Sequence, residues 1–202
     1  METPSTPPAS TAPATAHTTP QPSPSRRVWL GAGLAAAVAG LGGGVWWALH
    51  REHSAARAAP GDPLPEGFWA QQFDTIDGPP LQLTSFQSKP LVINFWATWC
   101  PPCVKEMPDL DKFHQAHNAQ GWHVIGLAID GPTPVKAFLG RTPVHFPIGL
   151  AGFGGTELAQ ALGNTAGALP FSVVIDRQGR IRHRKMGPAH LDELNGWARE
   201  FV

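Results

Sequence analysis

Cysteine is scarce in this 202-residue chain: there are two, together with no tyrosine, only 15% charged residues and a formal net charge of zero. Two thiols allow one internal disulfide at most, which excludes a small secreted scaffold stapled by several bridges. Balanced charge removes the bulk electrostatic case for nucleic acid. What is present is equally restrictive. With 42% hydrophobic residues and eight Trp, the chain has enough apolar material for a real core, so neither a collagen nor a wholly disordered polymer fits. The length suggests one domain plus something extra.

The zero charge averages over unlike parts. Residues 1–60 carry four Arg or Lys against two acids, and the remainder carries 11 against 13. Residues 1–25 hold seven Pro, six Thr, four Ser and four Ala, too small, polar or φ-locked to pack, so 1–27 is expected to be a disordered tail ending in Arg26 and Arg27. Val28 to Leu49 follow as 22 uncharged residues. About 20 suffice to cross the hydrocarbon layer, and Trp29, Trp46 and Trp47 stand where indoles favour the interface. Two fates are open for 28–49: an uncleaved transmembrane anchor, or a signal peptide cut near Ala56-Arg57-Ala58. Both export the body. Ser25-Arg26-Arg27-Val28-Trp29-Leu30 resembles the twin-arginine export motif, with Trp where that family has Phe. Gly40 and Gly44 form a GxxxG, which chance supplies readily in so glycine-rich a run. Residues 50–67 mix charges with Ala, Pro and Gly and read as a tether, leaving 68–202 for the domain.

The body is most informative from Leu91 onward. Leu91 to Trp96 is apolar but for Asn94, as expected of a strand buried on both faces. Ala97-Thr98-Trp99 leads to Cys100-Pro101-Pro102-Cys103, after which Val104, Met107, Leu110 and Phe113 recur every three residues as one helical face, with Lys105, Glu106, Asp109 and Lys112 turned elsewhere. The cysteine pair thus sits at a strand-to-helix junction. A helix start offers unpaired N–H groups and the positive end of the macrodipole, which stabilise a thiolate, and only the thiolate attacks a disulfide. Cys100 is the expected nucleophile and Cys103, one turn on, the resolving thiol. His114 and His117 complete a Cx2Cx10Hx2H pattern, but both spacings miss those of zinc fingers, and the histidines fall ~15 Å or more along the helix from Cys100. Solvent-facing histidines are the expectation, and no metal site is assigned.

The segment from Asn94 to Pro108, NFWATWCPPCVKEMP, resembles the active site of membrane-tethered thiol-disulfide oxidoreductases of the TlpA/ResA type, and the resemblance runs from about Phe68 to Val202. It implies a thioredoxin-like α/β fold: a central mixed sheet flanked by helices, with an N-terminal hairpin extension. The residues fit it in order. Phe68 to Phe73 and Leu81 to Leu83 read as the hairpin, turning through Asp77-Gly78; His123 to Asp130 as a buried strand; Thr133 to Gly140 and Thr156 to Leu162 as helices. A strand follows Pro170, then the turn Arg177-Gln178-Gly179, the strand Arg180 to Met186, and a helix from His190 to Phe201.

The resemblance also implies roles. Pro170 would be cis, and Leu169 before it would receive substrate backbone as an added strand, with Trp99 beside the nucleophile also touching substrate. Many thioredoxins have a buried Asp where this chain has Asn94, which cannot titrate; Glu106, three residues after Cys103, is the candidate proton acceptor. No cofactor is needed beyond a Cys100–Cys103 dithiol or disulfide. The implied partners are protein disulfides and a membrane thiol-reductase donor, at the inner membrane and facing the periplasm. Phe171 stands where the cytochrome c maturation branch has an acid, and the sequence departs from that branch there. A peroxidase is disfavoured because Thr98 lies two, not three, residues before Cys100. A copper metallochaperone using the same soft CxxC is the alternative. The basic run Arg180 to Lys185 reads as a solvated face, not a nucleic-acid surface.

Overall fold

The computed structural model describes residues 61–200. The tail, the 28–49 span, the export motif, the cleavage site, Gly40, Gly44 and Phe201 lie outside the described residues, as does 50–60 of the tether. Among the described residues no helix is long and apolar enough to cross a membrane.

The element order is β1 (Asp62–Pro63), β2 (Gln72–Phe73), β3 (Leu81–Gln82), β4 (Leu91–Trp96), α1 (Pro101–His117), β5 (His123–Ala128), α2 (Pro132–Leu139), β6 (Ile148–Leu150), α3 (Gly154–Ala161), β7 (Phe171–Ile175), β8 (Arg180–Met186) and α4 (Leu191–Glu200). Six strands form one mixed sheet in the order β1-β8-β7-β4-β5-β6. β4, β5 and β6 run parallel, joined by helical crossovers, while β7, β8 and β1 pair antiparallel. The expected thioredoxin-like arrangement is therefore present.

β4 shows why the sheet lies in the middle. Its six residues are all buried, and side chains alternate between faces. Leu91, Ile93 and Phe95 join Phe68, Leu83, Ile125, Leu158, Leu162 and Val173 on one side. Val92 and Trp96 join Met107, Leu110, Phe113, Phe138 and Trp197 on the other. Asn94, being even-numbered, thus falls on the side covered by α1.

Several boundaries differ from the sequence expectation. Phe68–Ala70 is a 3-10 turn, not a strand, and the hairpin is only Gln72–Phe73 on Leu81–Gln82. The sheet begins inside the stretch expected as tether, since Asp62 and Pro63 pair with Ile181 and Arg180. β6 has three residues, too few for any periodicity to be read. It is held from outside by the hairpin: Leu150 N–H donates to the Asp74 carbonyl at 2.7 Å, and a Cβ on Gly149 would come within 2.9 Å of Phe73 Cβ, so this contact requires glycine. The turn Arg177-Gln178-Gly179 is present, with Gly179 at φ 72° and the Asp176 carboxylate accepting from the N–H groups of Gln178 and Arg180, each at 2.9 Å.

α1 departs from expectation on its inner face. Glu106, Asp111 and His114 are buried with the apolar residues. His114, expected in solvent, packs edge-on to Phe146, and burial pushes its imidazole pKa down. His117 is held by Asn195 at 2.8 Å. Asp111 ties α1 to the segment entering β6, accepting from His145 N at 2.6 Å, His145 Nδ1 at 3.0 Å and Gln115 Nε2 at 2.7 Å. Burial alone would raise the Asp111 pKa, but these donors outweigh it and hold the carboxyl below its usual range. Such a depressed group contributes stability above its unfolded pKa of ~3.9, lost as pH falls through the lower folded value. Asp111→Asn is expected to lower stability by about 2 kcal/mol at pH 7. Urea unfolding should show the gap between wild type and variant shrinking toward pH 3.

Candidate active site

The end of β4 builds the site. After Trp96 the chain turns, with Cys100 N–H donating to the Ala97 carbonyl at 3.2 Å, and Cys100 becomes the N-cap of α1 with Pro101 and Pro102 in the first turn. Proline suits those positions because their N–H groups would have no intrahelical partner. Cys100 and Cys103 are joined as a disulfide with S–S 2.07 Å. Cys100 Sγ also accepts from Cys103 N–H at 3.3 Å, the kind of helix-start donor that would hold a thiolate at Cys100 once the bond is reduced. Both cysteines are buried, Cys103 fully, while Trp99 is 66% exposed.

Asp130 belongs to the site although no motif marks it in the sequence. Its Oδ2 accepts from Thr98 N–H at 3.1 Å and from Thr98 Oγ1 at 2.5 Å, which fixes the turn delivering Trp99 and Cys100. The only sequence signal was its place at the end of a buried strand, where β5 brings it level with the end of β4.

Glu106 lies one helical turn beyond Cys103 and is 2% exposed, not turned toward solvent. Asn94 Nδ2 donates to Glu106 Oε1 at 2.8 Å and to Ser172 Oγ at 3.0 Å, while Ala189 N–H donates to Glu106 Oε2 at 2.7 Å. Burial pushes the Glu106 carboxyl from 4.5 up to about 7, partly opposed by the donors Ala189 and Asn94. A carboxyl so tuned can exchange a proton near neutrality. Ser172 and Ala189 are 78 and 83 residues from their partners in the chain, so no local pattern could have found them.

Leu169–Pro170 is cis. The β4–β7 register pairs Phe95 with Phe171, which continues to set Pro170 and Leu169 beside the Trp96 and Ala97 level, at the cysteine end of the sheet. Cys100, Cys103, Glu106, Trp99, Leu169 and Pro170 therefore gather at one end of the fold. His114 and His117 do not join them, and among the described residues no group of three or more His, Cys, Asp or Glu could hold a metal ion.

A family model described as Redoxin matches residues 59–196. The chain belongs to the Redoxin family. It is 29% identical over 128 residues to thiol-disulfide oxidoreductase ResA of Bacillus cereus, covering 63% of this chain and 72% of the relative. It is 28% identical over 130 residues to sporulation thiol-disulfide oxidoreductase A of Bacillus subtilis, covering 62% and 76%. Among solved structures, a thioredoxin-family thiol:disulfide interchange protein from Chlorobium tepidum matches with TM-score 0.59 at 27% identity, over 70% of this chain and 97% of that one.

The basic run of β8 is turned onto the Redoxin domain itself. Arg180 donates to the Gly61 carbonyl; Arg182 lies 3.5 Å from Asp176, His183 2.7 Å from Glu200, Arg184 3.6 Å from Asp62 and Lys185 3.0 Å from Glu193.

Proposed function

We propose that this thiol-disulfide oxidoreductase works through Cys100 and Cys103 as a reductase of protein disulfides outside the cytoplasm. The Cys100 thiolate attacks a substrate disulfide, forming a mixed disulfide and releasing one substrate thiolate. Cys103 then attacks Cys100 Sγ, releasing the second substrate thiolate. The substrate gains two electrons and the pair is left as the Cys100–Cys103 disulfide. Glu106 takes the Cys103 proton as that thiol becomes the attacking group, with Asn94 and Ala189 holding the carboxylate. Leu169 and Pro170 offer backbone to the substrate and Trp99 covers one side of the nucleophile.

The observation that carries this reading is a disulfide at a helix start with a buried, neutrally tuned carboxyl one turn beyond its second cysteine. Export and tethering rest on the sequence, with 1–27 as a tail, 28–49 as an anchor or cleaved leader and the residues from 50 leading to the domain, whose sheet starts at Asp62. A membrane thiol reductase would restore the dithiol. The reduction potential tests direction: a value near that of thioredoxin, about −270 mV, is expected, whereas one near the strong oxidant range, about −120 mV, would reverse the assignment.

A further inference from the structure

Three large apolar side chains are exposed among the described residues: Trp99 at 66%, Phe153 at 96% and Met186 at 44%. The sheet register brings all three to the disulfide end. Trp99 follows β4, and Phe153 follows β6, whose Leu150 pairs with Ala128 at the end of β5. Met186 closes β8 opposite Phe171, itself opposite Phe95. Phe153 and Met186 flank Cys100 and Trp99 two strands away on either side, in the order β8-β7-β4-β5-β6. Strand spacing of ~4.8 Å makes the whole patch ~19 Å wide, the reach of about six extended residues.

Between Trp99 and Phe153 lies a cavity of about 510 Å³ whose lining includes Ile129, Pro132, Leu150, Asp74 and Asp130 and, among the described residues, no Lys, Arg or His. Its walls are held in place by the backbone. Ala151 and Gly152 N–H groups both donate to the Ala128 carbonyl, at 2.9 and 3.0 Å, Leu150 N–H holds Asp74, and Asp130 holds Thr98 beside Trp99. An exposed aromatic at the mouth of a preformed apolar cavity is an anchor site awaiting a side chain.

We propose that this cavity selects the protein substrate. Its occupant is an extended substrate segment whose cysteine meets Cys100, with an apolar or aromatic side chain seated between Trp99 and Phe153 and a Lys or Arg next to it facing Asp74 and Asp130. The proposal rests on the thiol-exchange reading and adds the substrate class to it. It accounts for a patch reaching both sides of the nucleophile and for the one sign of charge in the cavity.

The test uses the reduced full chain and six-residue peptides whose central cysteine is capped as a disulfide with 2-mercaptoethanol, so that the leaving group is constant. Peptides carry Phe or Ala, and Lys or Glu, beside that cysteine, and hydroxyethyl disulfide serves as the side-chain-free probe. The Phe-Lys peptide is expected to react at least tenfold faster than the Ala-Glu peptide. Phe153→Ser should bring the Phe-to-Ala ratio within twofold, and Asp74→Asn the Lys-to-Glu ratio; both side chains are exposed, so neither change opens a core cavity. Hydroxyethyl disulfide exchanged by wild type with no peptide preference overturns the cavity and leaves the thiol chemistry standing. Failure to exchange even that probe removes both. Ratios that survive both variants, or a light-scattering mass that drops from dimer to monomer in Phe153→Ser while the ratios stay, overturn it, the latter assigning the patch to a second copy.

Discussion

Full-length protein carrying Cys103→Ala is expected to accumulate mixed disulfides through Cys100, visible as reducible adducts on non-reducing gels and in mass spectra, while Cys100→Ala accumulates none. The asymmetry follows from position. Cys100 is the helix N-cap, where Cys103 N–H points at its sulfur, and Cys103 is fully buried one turn inside α1. Release of substrate depends on Cys103 being held against the mixed disulfide, and losing so well-placed an intramolecular nucleophile costs about 10³-fold or more in turnover. Because Ala is close to Cys in size, the fold should survive. If Cys103→Ala traps nothing, and a metal co-purifies stoichiometrically with the wild type, the copper-carrier alternative replaces the oxidoreductase reading.

Glu106→Gln carries the second large effect, on two observables. Disulfide reduction should slow by about 10²-fold, the low end for removing a positioned proton acceptor, and the rate should lose its inflection near pH 7. Stability should move the other way. A carboxyl raised from 4.5 to about 7 binds its proton more tightly in the folded than in the unfolded protein. Its favourable contribution is therefore complete below the unfolded value and lost as pH rises through about 7, a swing of roughly 3 kcal/mol. The glutamine cannot ionise, so the variant should escape that loss and be the more stable protein at pH 8. The amide also fits its surroundings: it can accept from Ala189, and the buried Asn94 Oδ1, which has no hydrogen-bond partner among the described residues, could accept from it after an amide flip. Denaturant titrations at pH 5 and pH 8, beside stopped-flow exchange rates, check both effects. Unchanged kinetics and thiol titration across pH 5–9 would remove Glu106 from the mechanism.

The legible parts of this protein were those written in short range. The apolar run of β4, the helix start at Pro101 and the cysteines between them are neighbours in sequence, and they are neighbours for the same reason in space. Glu106 was half legible. Its i+3 spacing from Cys103 was plain, but its burial depends on α1 lying over Asn94 and on Ala189 returning from the far end of the chain. His114 could have been found, since it stands four residues after Leu110 on the buried face of the same helix. β1 and β6, two and three residues long, exist because the sheet beside them supplies their hydrogen bonds, and nothing in their own composition demands a strand. Asp130 and Phe153 belong to loops whose importance comes only from which strand ends they crown.

The two margins of the sheet bear on what an enzyme of this kind can safely hold. One margin is β1, two residues ending in a proline that has no N–H to offer; the other is β6, bridged by Asp74 of the hairpin segment. Exposed strand edges recruit foreign strands, and short, proline-bearing or covered edges resist it. β1 covers only Arg180 and Ile181 of the seven-residue β8. From Arg182 to Met186 the margin is guarded by the charged side chains of Arg182, Arg184 and Lys185 in place of a strand, so the edge nearest the disulfide discourages a captured chain from extending the sheet by charge.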